Sequence, residues 1–249
     1  GAPDAERVVV TMASSAQVAK ECVAHLVAAG EKVGVVTVRL YRPFSAEHLL
    51  DAIPATAKRV SVLDRTKEPG SLGEPLFEDV ALAVLSSGRP AEVLGGRYGL
   101  SSKDFTPAQV KAVFDNMALE EPKRRFTVGI DDDVTHLSLP VGDPVRCLPA
   151  PCSQAVFYGF GSDGTVGASK QVVRILSREQ GTCVQEYSWY DSKKSGGLTI
   201  CYLRLSEEPV QSPYLVDDAG YVACHKSIYV RRGYPMAERL AEGGTFVLN

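Results

Sequence analysis

The chain has 249 residues, of which 45% are hydrophobic and 23% charged, a composition typical of a globular protein long enough for two domains. Its net charge of −3 argues against a general nucleic-acid surface. No apolar run approaches the roughly 18–20 residues that span a bilayer. We therefore expect a soluble protein of a reducing compartment, with neither nucleic acid nor a membrane as partner.

The first half of the chain alternates between apolar strand runs and helical patterns. The predicted strands are 7–12, 33–38, 59–64, 91–94 and 126–130. The predicted helices are 16–29, 46–52, 74–86 and 108–116. Such alternation is typical of an open parallel sheet that helices cover on both faces.

The stretch 140–151 contains four prolines, which indicates a linker between a first domain, 1–150, and a second domain, 151–249. In the second domain the predicted strands are 154–160, 182–190, 198–205, 221–225 and 245–249. The predicted helices there are 164–178 and 234–241. We predict an α/β fold of two consecutive three-layer units with mainly parallel sheets. Because the last strand run stops without a following turn, we expect a truncated second domain and a fragment of a longer polypeptide.

A glycine-rich turn joins the first predicted strand and helix of the second domain. Gly159, Gly161 and Gly164 fit the pattern G-x-G-x-x-G, and Asp163 is the predicted N-cap. The first N–H groups of a helix lack intrahelical partners, and the helix dipole adds positive charge there. Glycines let the backbone approach a phosphate closely. The candidate binding residues of this turn are Gly161, Ser162, Gly164, Thr165 and Val166.

A second loop, 190–197, follows about thirty residues later. Lys193 and Lys194 supply two adjacent cations, and Ser195 supplies a hydroxyl group. Such groups suit several phosphate oxygens. We treat the two loops as halves of one phosphate-binding site, although a tight structural turn and a solvated hairpin end are the simpler alternatives.

The sequence supports other kinds of ligand or catalytic site less well. Glu186 is predicted to lie at the end of the next strand, close to where the acidic residue of a dinucleotide-binding domain would lie. This leaves a dehydrogenase-type nucleotide domain as one alternative and a non-catalytic assembly module as another. Ser162-Asp163-Gly164 only partly matches a thiamine-diphosphate motif, and neither a P-loop nor G-x-S-x-G occurs. The six cysteines form no C-x-x-C pair, so we predict structural thiols and no metal site.

Several segments in order along the chain resemble the middle part of the pyruvate:ferredoxin (flavodoxin) oxidoreductase family, including its fusions with an NADP-reducing part. The matching segments are 63–71, 73–76, 95–103, 129–135, 161–170, 190–197, 222–225 and 242–249. The family has Asn where Ser169 stands here. The resemblance implies a transketolase-C-terminal-like domain in 1–150 and the first part of the gamma domain, linked to coenzyme A (CoA) binding, in 151–249.

The resemblance also implies the chemistry of the intact enzyme. Such enzymes convert pyruvate and CoA to acetyl-CoA, CO2 and a reduced electron carrier. They use thiamine diphosphate with Mg²⁺ and 4Fe–4S clusters, whose sites we expect outside this chain. The implied partners are ferredoxin, flavodoxin or a fused flavoprotein, other domains of the same polypeptide and a second copy in a homodimer. The implied location is the cytoplasm or an organelle of mitochondrial or plastid type.

Overall fold

The chain forms two compact units in a computed structural model, which describes residues 1–132, 134–179, 181–192 and 196–249. The first unit comprises Gly1–Cys147 together with Ser212–Tyr214, and the second comprises Leu148–Gln211 together with Leu215–Asn249. Each unit has its own five-stranded sheet, which confirms the predicted α/β class with two sheets. The domain types that the resemblance implies for the two units stay predictions.

The first unit is a parallel sheet between two layers of helices. Its strands are β1 (Arg7–Met12), β2 (Val33–Val38), β3 (Arg59–Asp64), β4 (Glu92–Tyr98) and β5 (Arg125–Val128). Its helices are α1 (Ser14–Ala28), α2 (Ala46–Ala52), α3 (Pro75–Ser87) and α4 (Pro107–Ala118). The strand order is β2-β1-β3-β4-β5, and every pair is parallel.

Consecutive residues of the interior strand β1 supply both hydrophobic cores of this unit. Val9 packs in the cluster that contains α1 and α4, whereas Val8 and Val10 pack in the cluster that contains α2 and α3. All three side chains are fully buried. Alternate residues of a strand face opposite sides of a sheet, so an unbroken valine run is what a strand covered on both faces requires.

A buried carboxylate at the end of β3 caps helix α3. The two carboxylate oxygens of Asp64 accept hydrogen bonds from the N–H groups of Leu76, at 3.0 Å, and Phe77, at 3.1 Å. Glu74 is the N-cap residue, and its own side chain makes no cap hydrogen bond. Burial raises the pKa of Asp64, although the two N–H donors oppose this effect. Asp64 thus anchors α3 to the sheet.

The second unit has a mixed sheet. Its strands are β6 (Cys152–Phe160), β7 (Cys183–Tyr190), β8 (Leu198–Ser206), β9 (Ala219–Cys224) and β10 (Leu240–Leu248). Their order is β10-β9-β6-β8-β7, in which β10, β9 and β6 are mutually parallel and β8 runs antiparallel to β6 and β7. Helix α5 (Thr165–Leu176) contacts β6, β7 and β8.

The C-terminal part of this unit differs from the prediction. The predicted helix 234–241 is wrong: Met236–Arg239 forms a single 3₁₀ turn, and strand β10 begins directly after it. A short helix, α6 (Ile228–Arg231), was not predicted. The glycines 243 and 244 resemble a turn, yet they form an irregularity inside β10, between Leu240 and Thr245 in the register with β9. Gly243 adopts a φ of 75°, a conformation that favours glycine.

No helix in the described residues is long and apolar enough to cross a membrane.

Candidate functional site

The two loops of the predicted phosphate-binding site leave the second sheet at the same edge. In the strand register, Phe160 at the end of β6 pairs with Leu198 at the start of β8. Tyr190 at the end of β7 pairs with Thr199. On the other side of β6, Tyr158 pairs with Cys224 at the end of β9. The β6–α5 turn, the β7–β8 loop and the residues after β9 therefore leave the sheet at the same edge, where open α/β sheets place ligands.

The β6–α5 turn and the β7–β8 loop are in direct contact. The N–H of Gly161 donates to the carbonyl oxygen of Gly197 at 3.0 Å. A Cβ atom built on Gly161 would lie 3.7 Å from the nitrogen of Gly196. The buried Tyr229 adds a hydrogen bond from its hydroxyl to the Gly197 carbonyl at 3.4 Å. These contacts hold the β6–α5 turn next to the last two residues before β8, Gly196 and Gly197.

Two glycines of the turn have different structural roles. A Cβ atom at Gly159 would lie 2.0 Å from Oγ1 of Thr165, so only glycine allows this approach of β6 to the first turn of α5. Gly164 has a φ of 94° and open space around the missing Cβ, so its requirement is conformational. Ser162 also adopts a positive φ, of 72°.

The N-cap of α5 is Gly164, one residue after the predicted Asp163. The Asp163 carboxylate nevertheless satisfies two backbone donors. It accepts from the N–H of Thr165 at 2.8 Å and from the N–H of Phe160 at 2.7 Å. The N–H of Thr165, the first residue of α5, is therefore already bonded. The next two N–H groups belong to Val166 and Gly167, and no acceptor in the described part of the chain bonds to them.

Asp163 also brings negative charge to this helix end. Burial raises the pKa of its carboxyl, but the Phe160 and Thr165 N–H groups, the Thr165 hydroxyl and the charge of His225 outweigh burial, and the pKa lies below its ordinary value. The ionised carboxylate offsets part of the positive helix dipole. An anion at this edge therefore needs cations from the neighbouring loops.

Sequence analysis assigned no role to His225, the first residue after β9. Its Nδ1 lies 2.9 Å from Oγ1 of Thr165, which is 3% exposed. The backbone N–H of His225 donates to the backbone carbonyl of Tyr158 at 2.8 Å. Lys226 follows and is exposed. The sequence did offer one sign of a site here, because a histidine and a lysine directly follow an apolar strand run.

The structure brings together Gly161, Ser162, Gly164, Thr165 and Val166 in the turn, beside the backbone of Gly196 and Gly197. Lys193, Lys194 and Ser195 lie outside the described residues. On either side of them, Ser192 is exposed and Gly197 is buried.

The position of Glu186 differs from the sequence expectation. It is the fourth of the eight residues of β7 rather than a residue at the strand end. Strand β8 also lies between β6 and β7. The Glu186 carboxylate accepts hydrogen bonds from Ser188 and, at 3.4 Å, from the buried Ser169. This placement does not favour the dinucleotide alternative, in which the acidic residue ends the strand next to the glycine turn.

Two family models match the chain in succession. Residues 5–110 match the core domain II of pyruvate:ferredoxin oxidoreductase. Residues 154–249 match the model described as pyruvate ferredoxin/flavodoxin oxidoreductase.

Curated relatives match over the whole chain. It is 55% identical to pyruvate:ferredoxin oxidoreductase of Moorella thermoacetica and 50% identical to a probable pyruvate-flavodoxin oxidoreductase of Escherichia coli. It is 49% identical to the mitochondrial pyruvate dehydrogenase [NADP(+)] of Euglena gracilis. The chain spans 21%, 22% and 14% of the lengths of these relatives, respectively.

Proposed function

We propose that this chain is the CoA-binding part of a pyruvate:ferredoxin/flavodoxin oxidoreductase, because it belongs to that family. In this proposal the intact polypeptide oxidises pyruvate with CoA to acetyl-CoA and CO2 and passes the electrons to ferredoxin, flavodoxin or a fused flavoprotein. The first unit packs against the thiamine-binding domains. Thiamine diphosphate supplies the decarboxylation chemistry, and its site and the cluster sites belong to other parts of the polypeptide.

The observation that carries the proposal is the contact between the two loops. The Gly161–Gly197 hydrogen bond holds the glycine turn beside the loop that contains Lys193 and Lys194. CoA has a diphosphate and a 3′-phosphate, which together need several donors and more than one cation. Backbone N–H groups and adjacent lysines meet that need.

In this proposal each part of the edge has its own role. The N–H groups of Gly164 and Val166 face the diphosphate in this proposal, whereas the Thr165 N–H is bonded to Asp163. Lys193 and Lys194 balance both the ligand and the Asp163 charge. Ser162 and Ser195 add hydroxyl donors. The protein thereby fixes the position of the CoA thiol, and this orientation is its contribution to the rate.

The test of the overall activity uses the full-length polypeptide, kept free of oxygen and loaded with its cofactors. We expect acetyl-CoA to form from pyruvate only when both CoA and an electron acceptor are present. Formation of the corresponding acyl-CoA from another 2-oxoacid, at a higher rate than acetyl-CoA forms from pyruvate, would assign a different substrate. A full-length enzyme that oxidises pyruvate but needs no CoA would contradict the role proposed for the second unit.

A further inference from the structure

The segment 226–232 contains helix α6 and follows β9 at the edge of the second sheet where the two loops lie. It carries three cations to which the two-loop site assigns no role, and these are Lys226, Arg231 and Arg232. All three side chains are exposed. Within the described residues, no carboxylate forms an ion pair with any of them. The segment therefore adds uncompensated positive charge to this edge.

One buried side chain fixes this segment against the end of the β7–β8 loop. Tyr229 is 1% exposed and belongs to the hydrophobic core of the second unit. Its hydroxyl donates to the carbonyl oxygen of Gly197 at 3.4 Å, and its ring centroid lies 6.4 Å from that of Phe160 and 5.3 Å from that of Tyr234. The same Gly197 carbonyl accepts from the N–H of Gly161. The glycine turn and the segment after β9 thus share one hydrogen-bond acceptor.

The backbone places two of the three cations on the face of the segment that carries Tyr229. The N–H of Tyr229 donates to the carbonyl of Lys226 at 3.2 Å, and the N–H of Arg232 donates to the carbonyl of Ile228 at 3.0 Å. Helical turns therefore run through the whole segment. Lys226 and Arg232 lie three residues before and three residues after Tyr229, and residues three apart on a helix are neighbours on one face. Arg231 lies two residues after Tyr229 and belongs to a different face.

The charges around the Tyr229 hydroxyl agree with this placement. Burial raises the pKa of Tyr229 and the carboxylate of Asp163 raises it further, whereas the positive charge of Arg232 lowers it. Asp163 belongs to the glycine turn, and Arg232 belongs to the segment after β9. Because both charges act on the same hydroxyl group, an anion held at the turn would lie within the electrostatic reach of Arg232.

We propose that Lys226 and Arg232 bind the 3′-phosphate of CoA and make the enzyme prefer CoA to 3′-dephospho-CoA, an inference that rests on the proposed CoA-binding function. The 3′-phosphate is a monoester, which carries a charge of about −1.5 to −2 near pH 7. It is attached to the ribose, apart from the diphosphate, so it needs cations of its own. A guanidinium group can donate two parallel hydrogen bonds to such a phosphate, and an ammonium group adds a point charge.

The test compares CoA with 3′-dephospho-CoA as substrates of the full-length, cofactor-loaded enzyme at saturating pyruvate. In the wild type we expect the KM for 3′-dephospho-CoA to exceed the KM for CoA at least about fivefold. In Lys226→Ala/Arg232→Ala the two KM values should become nearly equal, because the KM for CoA rises while the KM for 3′-dephospho-CoA stays near its wild-type value. The matched control is Arg231→Ala, which removes an exposed neighbouring cation from another face and should keep the wild-type ratio.

The loop lysines should behave differently from these residues. Lys193→Ala/Lys194→Ala should raise the KM for both thiols, since both thiols contain the diphosphate. A preference for CoA that persists in Lys226→Ala/Arg232→Ala, or that Arg231→Ala removes equally, would overturn this inference alone. Equal KM values for the two thiols in the wild type would do the same. A wild-type enzyme that needs neither thiol would overturn the proposed function and this inference with it.

Discussion

The hydroxyl oxygen of Thr165 lies 2.9 Å from Nδ1 of His225, which joins the first turn of α5 to the end of β9 across sixty residues. The threonine is buried against Gly159, whose missing side chain makes room for it. The Thr165 hydroxyl group therefore links the glycine turn and helix α5 to the end of strand β9.

Replacing Thr165 by valine keeps the shape of the side chain but removes this hydroxyl. We expect the free energy of unfolding to fall by about 1–3 kcal/mol, because the His225 nitrogen loses its partner in a partly buried position. Thr165→Ser keeps the hydroxyl and loses one methyl group, so its cost should be near 1 kcal/mol. Urea unfolding of both variants separates the two effects. A valine variant as stable as the wild type, beside a destabilised serine variant, would show that packing, not the hydrogen bond, matters here.

Gly164 and Gly167 provide a matched pair for the conformation of the turn. A Cβ atom meets nothing within 4 Å at either position, but only Gly164 has a positive φ. Gly164→Ala should therefore cost about 1–2 kcal/mol in backbone strain. Gly167→Ala, inside α5, should instead stabilise the protein by about 0.5–1 kcal/mol. Thermal melts of the two variants that shift in the same direction would refute this account.

The stability that Asp163 provides should depend on pH. The pKa of its carboxyl is lower in the folded chain than its ordinary value of 3.8. The stabilisation is therefore fully present above the unfolded-state pKa and is lost as the pH falls through the folded-state pKa. Unfolding free energies of the wild type and Asp163→Asn, measured from about pH 6 downward, should differ most at the upper end and converge in acid. A gap that stays constant would contradict the assignment.

Removal of the buried cap of α3 should be costly. In Asp64→Ala the N–H groups of Leu76 and Phe77 lose their acceptors, and each buried unpaired N–H costs about 1–3 kcal/mol. Asp51→Ala, an exposed carboxylate at the end of α2, is the control and should change stability by less than about 0.5 kcal/mol. Chemical denaturation gives both values, and equal losses would show that the cap contributes little.

The first unit was largely predictable because its strands are short, continuous apolar runs. The bounds 7–12, 33–38 and 59–64 agree with the structure. The error at 234–241 has a local cause, since Gly243 and Gly244 form an irregular strand where their sequence resembles a turn.

The candidate site was only partly predictable. The glycine turn follows from local sequence, and so does its position before a helix. Long-range pairing places β8 between β6 and β7, and the same pairing brings His225 to the turn. Periodicity along the chain does not carry that information, so Glu186 was assigned to a strand end and His225 received no role.

The most direct test of the central claim is the dependence of the full-length enzyme on CoA after Lys193 and Lys194 are both replaced by alanine. At saturating pyruvate we expect the KM for CoA to rise at least about fivefold, which corresponds to about 1 kcal/mol for exposed contacts. Desolvated contacts would add about 1.5–3 kcal/mol each. The half-reaction with pyruvate alone and the Tm should change little.

The control for lost charge is the double variant Arg174→Ala/Arg178→Ala, which removes two exposed cations at the opposite end of α5. It should leave the KM for CoA near the wild-type value. Gly164→Val should differ from both variants, because it lowers stability and CoA affinity together. A KM for CoA that is unchanged in the double-lysine variant would contradict the phosphate-binding role of the β7–β8 loop.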